Sequence, residues 1–198
     1  MIKAIFFDLG GVLFTNGTKK FVEKISRQYG LSPEAALGLM DGSLGTKYRE
    51  GKITRDEFWR EVLKKLRINA DLDQLETEWI NEYQLIEETK ELIKYLSDKY
   101  KLFYISDNVR ERIDRIEDRF HFLEWFDGGV FSQEVGARKP SPKIYRAALQ
   151  EAGVRGSEVI FIDDKEKSLP PAQRMGMTTV LFKSPEDLKE QLKKLGII

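Results

Sequence analysis

Acidic residues close three apolar runs in this chain, and they are the residues whose types and spacing could do chemistry. Asp8 ends "KAIFFD" (3–8), Ser106-Asp107-Asn108 follow the apolar part of "KLFYIS" (101–106), and Asp163-Asp164 finish "EVIFID" and its next residue. Each alone has an ordinary reading. Asp8 can start a turn before Gly10-Gly11, Ser106 to Asn108 can supply a helix N-cap, and Asp163-Asp164 can cap a turn. Three such ends gathered on one edge read differently, because carboxylates that cluster raise one another's pKa unless a cation lies between them. The chain has no cysteine and a single histidine, His121, so thiolate and multi-histidine sites are excluded. The remaining hard oxygen donors suit Mg²⁺. His121, in "RFHFLEW", reads as a surface or helix-end residue.

Four β-like runs would have to hold these groups: 3–8, 101–106, 158–163 and "TTVLF" (178–182). Each is short, rich in Ile, Val, Phe or Tyr, and apolar on both faces, as central strands of a parallel sheet are. In open sheets of that kind ligands bind beyond the carboxyl ends of the strands, where the acids fall. Helical stretches alternate with the runs. "SPKIYRAALQEAG" (141–153) offers Ser141 as N-cap, Pro142 at the first helical position and Gly153 past the end, and "SPEDLKEQLKKLG" (184–196) repeats the pattern. The expected fold class is therefore α/β, an open parallel Rossmann-like sheet with helices on both faces.

The segment from about residue 19 to 98 carries no strand signal. Thr54 and Glu57 in "ITRDEFWREVLKKL" form a capping-box pattern, Phe58, Val62 and Leu66 recur at helical spacing, and "LDQLETEWI" puts Leu72, Leu75 and Trp79 on one helix face. So long a helical stretch exceeds a crossover. The division expected is a core of residues 1–17 and 89–198 with a small all-α cap at 18–88, the helix near 88–100 returning the chain to the sheet. "LMDGSLGTKYREGK" (39–52) is read as a loop region of that cap, and the charge runs "RERIDRIEDR" and "KEQLKK" as solvated helix faces. Of the 198 residues 41% are hydrophobic, and 33 basic side chains balance 33 acidic ones, so neither nucleic acid nor an anionic membrane is indicated as a partner. With no membrane-length apolar run and no secretory cleavage pattern, a soluble cytoplasmic protein is expected.

With these motifs in order, the chain resembles the haloacid dehalogenase-like (HAD) hydrolase superfamily, in particular members with a helical cap inserted after the first strand. "FFDLGGVL" is similar to the first motif, "YISDN" to the second, "EVGARKPSPKIY" with Lys139 to the third, and "VIFIDD" to the fourth. The resemblance implies that Asp8 attacks phosphorus to give an aspartyl-phosphate that water then hydrolyses. It implies that Mg²⁺ is held by the Asp8 carboxylate, the Gly10 carbonyl and Asp164, with Asp163 acting through a metal-bound water. Ser106 and the Asp107 backbone N–H would hold phosphate oxygens, and Lys139 would neutralise charge on nucleophile and phosphate.

The first motif departs from the phosphatase pattern, which carries a second Asp where this chain has Gly10. That Asp protonates the leaving oxygen, and general acid–base catalysis is worth about 10²–10⁴ in rate. Three functions stay open at this point: a Mg²⁺-dependent phosphatase of a small phosphorylated metabolite, which is favoured; a 2-haloacid dehalogenase using Asp8 as nucleophile; and a degenerate binding protein. Retention of Asp163 and Asp164 counts against the second, since a metal-free displacement gains nothing from two further carboxylates. Asp107, where relatives more often carry Asn, is read as a cap for the following helix. Substrate and oligomeric state are not encoded in any readable motif.

Overall fold

The computed structural model describes residues 1–198. Strand β1 (Ala4–Phe7) is followed by six helices: α1 (Gly17–Tyr29), α2 (Pro33–Met40), α3 (Ser43–Arg49), α4 (Arg55–Leu66), α5 (Leu72–Asn81) and α6 (Glu87–Ser97). Then come β2 (Lys101–Ser106), α7 (Arg110–Phe120), β3 (Gly128–Phe131), α8 (Ser132–Val135), α9 (Pro142–Ala152), β4 (Val159–Asp163), α10 (Leu169–Arg174), β5 (Thr178–Leu181) and α11 (Pro185–Lys194). The five strands form one parallel sheet in the order β3-β2-β1-β4-β5. No helix is long and apolar enough to cross a membrane.

Successive side chains of a strand point to opposite faces, and β1 divides accordingly. Ile5 and Phe7 enter a large apolar cluster that continues through the helical insertion, whereas Ala4 and Phe6 enter a smaller one with Ile144, Tyr145 and Ala148 of α9. Both faces of β1 are therefore dry, which is why its sequence is unbroken apolar. The expected caps are present: Ser141 and Ser184 accept from backbone N–H groups of α9 and α11, and Thr54 with Glu57 closes a capping box on α4. His121 stands in a left-handed conformation (φ 48°) just after α7, as a helix-end residue.

The structure has one strand more than the four expected. β3 lies at the sheet edge beside β2 and contains Gly128 and Gly129. A Cβ on Gly129 would lie 2.3 Å from Tyr104 Cδ2, so the ring of β2 excludes an apolar side chain there and removes the signal that marks the other strands. The 39–52 region is also not a loop: α2 runs to Met40 and α3 covers Ser43–Arg49. α3 spans seven residues with no side-chain N-cap bond, so it leaves little pattern to read.

The insertion is packed around aromatic rings, with Phe21 stacked on Trp79 at 5.4 Å and Trp59 edge-on to both. It joins the rest of the chain along two adjacent segments. Thr15 N donates to Gln84 O (2.8 Å), Gln84 N donates to Thr15 Oγ1 (3.0 Å), and Ile86 N donates to Leu13 O (2.9 Å). A second tie is ionic. Arg112 of α7 is buried against Glu76 of α5, with Nε donating at 2.9 Å and Nη2 at 2.8 Å from the same carboxylate oxygen. Its guanidinium lies 3.5 Å from the Trp79 ring centroid. Reading "RERIDRIEDR" as a wholly solvated face is therefore wrong at Arg112, which is 1% exposed. Its partner is 36 residues away in the chain, beyond the reach of helical periodicity.

Candidate active site

Strand register assembles the site. Phe7 pairs with Tyr104 on one side and Ile162 on the other, so Asp8, one residue further on, is level with Ile105 and Asp163. Asp8 N donates to Ile162 O at 2.8 Å, which extends the ladder by one step and fixes where its side chain emerges. Three expected residues, Asp8, Asp163 and Asp164, thus present carboxylate oxygens that all lie within 4.8 Å of one another.

Lys139 enters this cluster from the segment before α9. Its Nζ is 2.9 Å from Asp8 Oδ1, donates to Asp163 Oδ2 at 2.6 Å and donates to Ile105 O at 3.0 Å. It is buried, so it is no surface lysine. Burial alone would push its pKa down, but Asp163 and Asp8 outweigh that and hold the ammonium charged, above the usual lysine range. Burial pushes Asp8 up to about 7; Lys139 opposes the rise, and Asp163 and Asp164 add to it. Asp164 is raised as well, by burial first, with Lys165 opposing.

The cluster fits a hard divalent cation. It offers only oxygen donors, and Asp164 Oδ1 is a buried oxygen with no hydrogen-bond partner. The loop after β1 is shaped for that carboxylate: Gly11 has φ 102°, and a Cβ there would lie 2.2 Å from Asp164 Oδ2. Gly11→Ala is accordingly expected to displace Asp164 and destabilise the fold by about 1–3 kcal/mol. It should also abolish the rise in unfolding temperature expected from Mg²⁺ in the parent protein. Calorimetry with and without Mg²⁺ checks this; an unchanged Mg²⁺ response would mean Asp164 does not need the glycine.

Ser106, Asp107 and Gly10 stand with Asp8 and Lys139 around one cavity of about 210 Å³, of whose 16 lining residues two are hydrophobic. Such a lining suits a small, strongly polar ligand. Asp107 is not a helix cap. Its carboxylate accepts from Lys139 N (2.9 Å) and from Arg138 Nε (3.2 Å), while the residue before α7, Val109, makes no side-chain cap bond.

Several residues of the cavity escaped sequence reading. Arg138 reaches from Asp107 to the insertion, donating to Asp41 Oδ1 (2.7 Å) and Thr46 Oγ1 (3.1 Å), and so bridges the two layers over the site. It immediately precedes Lys139 in "ARKP", which is the one signal that could have found it. Arg49 of α3 is buried and donates to Met40 O (2.7 Å) and Thr18 Oγ1 (3.3 Å); burial, then Arg138, lowers it to about 10. Tyr83, after α5, lines the same cavity and has no local motif at all.

A family model described as haloacid dehalogenase-like hydrolase matches residues 2–176. The chain belongs to that family. The fold agrees, as a five-stranded parallel sheet with a helical insertion after β1. The hydrolase is 28% identical to a putative uncharacterized protein of Dictyostelium discoideum, over 91% of this chain and 90% of the relative. It is 26% identical to glyceraldehyde 3-phosphate phosphatase of Methanocaldococcus jannaschii, over 91% and 84%. It spans 37% of the length of another relative, drimenol cyclase drtB of Aspergillus calidoustus. Among solved structures, a HAD family enzyme from Bacteroides thetaiotaomicron in complex with magnesium and inorganic phosphate superimposes with a TM-score of 0.79. That pair is 25% identical and covers 96% of this chain and 99% of the other.

Proposed function

We propose that this hydrolase is a Mg²⁺-dependent phosphatase of small phosphorylated metabolites, working through an aspartyl-phosphate on Asp8. The observation that carries the reading is the trio Asp8, Asp163 and Asp164 around buried Lys139, with one carboxylate oxygen left unpartnered. A displacement needing no metal would gain nothing from two extra carboxylates beside its nucleophile, so the arrangement disfavours dehalogenation. Support also comes from the Bacteroides relative, which holds magnesium and phosphate.

In this reading Asp8, Asp164 and the Gly10 carbonyl would hold Mg²⁺, with Asp163 contributing through water. Bound there, the ion would supply positive charge to offset the carboxylates and the transferred phosphoryl group. Lys139 keeps one Asp8 oxygen in place, leaving the other to attack. Ser106 Oγ and the Asp107 N–H hold phosphate oxygens, and Arg138 with Lys139 N fixes Asp107 for that purpose. Residues 18–88 form the cap that closes the cavity over a core of 1–17 and 89–198.

The test is a panel of phosphorylated metabolites and 2-haloacids, assayed with and without Mg²⁺. Phosphate release that requires Mg²⁺ is the expected result, and halide release without metal would overturn the assignment. The ligand order has its own test. Asp163 is already engaged by Lys139 Nζ and by the Lys165 N–H (2.8 Å), whereas Asp164 has the free oxygen. Asp164→Ala should therefore raise the Mg²⁺ concentration needed for half-maximal activity more than Asp163→Ala does. The reverse ranking would mean that the direct and water-mediated positions are exchanged.

A further inference from the structure

Gly10 leaves the loop after β1 without a side chain, and the space beside it is filled from the cap. A Cβ built on Gly10 would lie 3.6 Å from Tyr83 Cε1, the ring carbon next to the one that bears the hydroxyl. The opposite ring edge presses on Gly17 at the start of α1, where a Cβ would come within 2.5 Å of both Cδ2 and Cε2. The ring thus packs against Gly17, where no side chain would fit, while its other edge stands at ordinary contact distance from position 10. Tyr83 is 6% exposed, yet it lines the cavity over Asp8. Its hydroxyl makes no hydrogen bond within the protein and is not among the sealed, unpartnered atoms, so it is free to donate.

We propose that Tyr83 carries the proton of the leaving group, in place of the acid that Gly10 cannot supply. The assignment rests on the phosphatase reading above. When the Asp8 oxygen–phosphorus bond forms and the phosphorus–leaving oxygen bond breaks, the Tyr83 hydroxyl proton passes to the leaving oxygen, yielding free alcohol and tyrosinate. In the second half, water attacks phosphorus, the bond to Asp8 breaks, and the proton lost by water returns to Tyr83. Protons and electron pairs balance with no further reactant. Tyrosine is an ordinary general acid, and the guanidinium of Arg49, which lines the same cavity, would face the transient anion.

Tyr83→Phe tests the proposal, because it keeps the ring against Gly17 and removes only the hydroxyl. The readout is kcat/KM, which reports steps through departure of the leaving group. With glycerol phosphate, whose alkoxide leaves badly, kcat/KM should fall by about 10²-fold or more. With para-nitrophenyl phosphate, whose phenolate needs little protonation, it should change by no more than about threefold. Adding Gly10→Asp to Tyr83→Phe should then recover roughly tenfold or more on glycerol phosphate, because a Cβ at position 10 meets the ring at an ordinary 3.6 Å and its carboxyl restores an acid. A structural role would lower both substrates together, and that result would overturn the assignment. Full glycerol phosphate turnover by a folded Tyr83→Phe protein would overturn it too, while leaving the Asp8-dependent phosphatase intact. Absence of any Asp8-dependent phosphatase activity in the parent would remove both.

Discussion

Asp8→Asn should reduce Mg²⁺-dependent hydrolysis of an aryl phosphate to background. Asparagine keeps the size of the side chain and its place at the end of β1, but the amide oxygen is no nucleophile for phosphorus. Equal turnover by the variant would sink the covalent mechanism. The same substitution makes a stability prediction of opposite sign. In metal-free protein the folded-state pKa of Asp8, about 7, lies above the ordinary 3.8. The folded state then holds this proton more tightly than the unfolded chain does. Its contribution to stability is full below the unfolded pKa and is lost as pH rises through about 7. Asparagine has no such proton, so in EDTA the variant should gain on the parent between pH ~4 and ~7 and stay ahead above that. Unfolding temperatures measured across that window check the sign. A parent that became relatively more stable with rising pH would contradict the burial argument.

Lys139→Met carries the second large effect. Methionine retains much of the volume while removing the ammonium that touches Asp8, Asp163 and the Ile105 carbonyl. Breaking a buried pair from one side strands the other charges, at about 3–5 kcal/mol. For a domain of this size each kcal/mol moves the unfolding temperature by roughly 2–4 °C, so a fall of roughly 6–20 °C is expected in EDTA. Activity should be lost as well, but that alone would not separate catalysis from folding. Mg²⁺ supplies the separation: with Lys139 gone it becomes the one cation among the carboxylates, so it should stabilise the variant by more degrees than it stabilises the parent. A variant that unfolds within about 2 °C of the parent in EDTA would show that the carboxylates tolerate each other unaided.

The acids of β1, β2 and β4 could be read from sequence because each ends a run that is dry on both faces. A carboxylate is conspicuous after Ile5, Phe6 and Phe7, and parallel pairing then puts neighbouring strand ends side by side. The Ser184 and Thr54 caps were readable for the same reason, since a cap and its helix are contiguous. What escaped were interactions whose two halves lie far apart. Arg112 stands in a helix crowded with charge, and only the position of Glu76 on α5 selects it for burial. Asp107 precedes a helix, as a cap would, but Arg138 and the Lys139 N–H claim its oxygens from a different segment. Tyr83 belongs to no motif, and its place beside the site follows from Gly17, 66 residues away in the chain, which makes room for its ring. β3 escaped because two of its four residues, Gly128 and Gly129, carry no side chain where Phe103 and Tyr104 pack.

The laced segments around Thr15 and Gln84 have an engineering consequence. The bonds between them put the two ends of the helical insertion within one hydrogen bond of each other. By chain path the cap is therefore a cassette: excised there, it leaves ends that a hairpin turn of about two residues could close. By packing it is not, for the excised scaffold would keep Arg112 without Glu76 and Arg138 without Asp41 and Thr46. A foreign cassette must bring an acid to each of those two places.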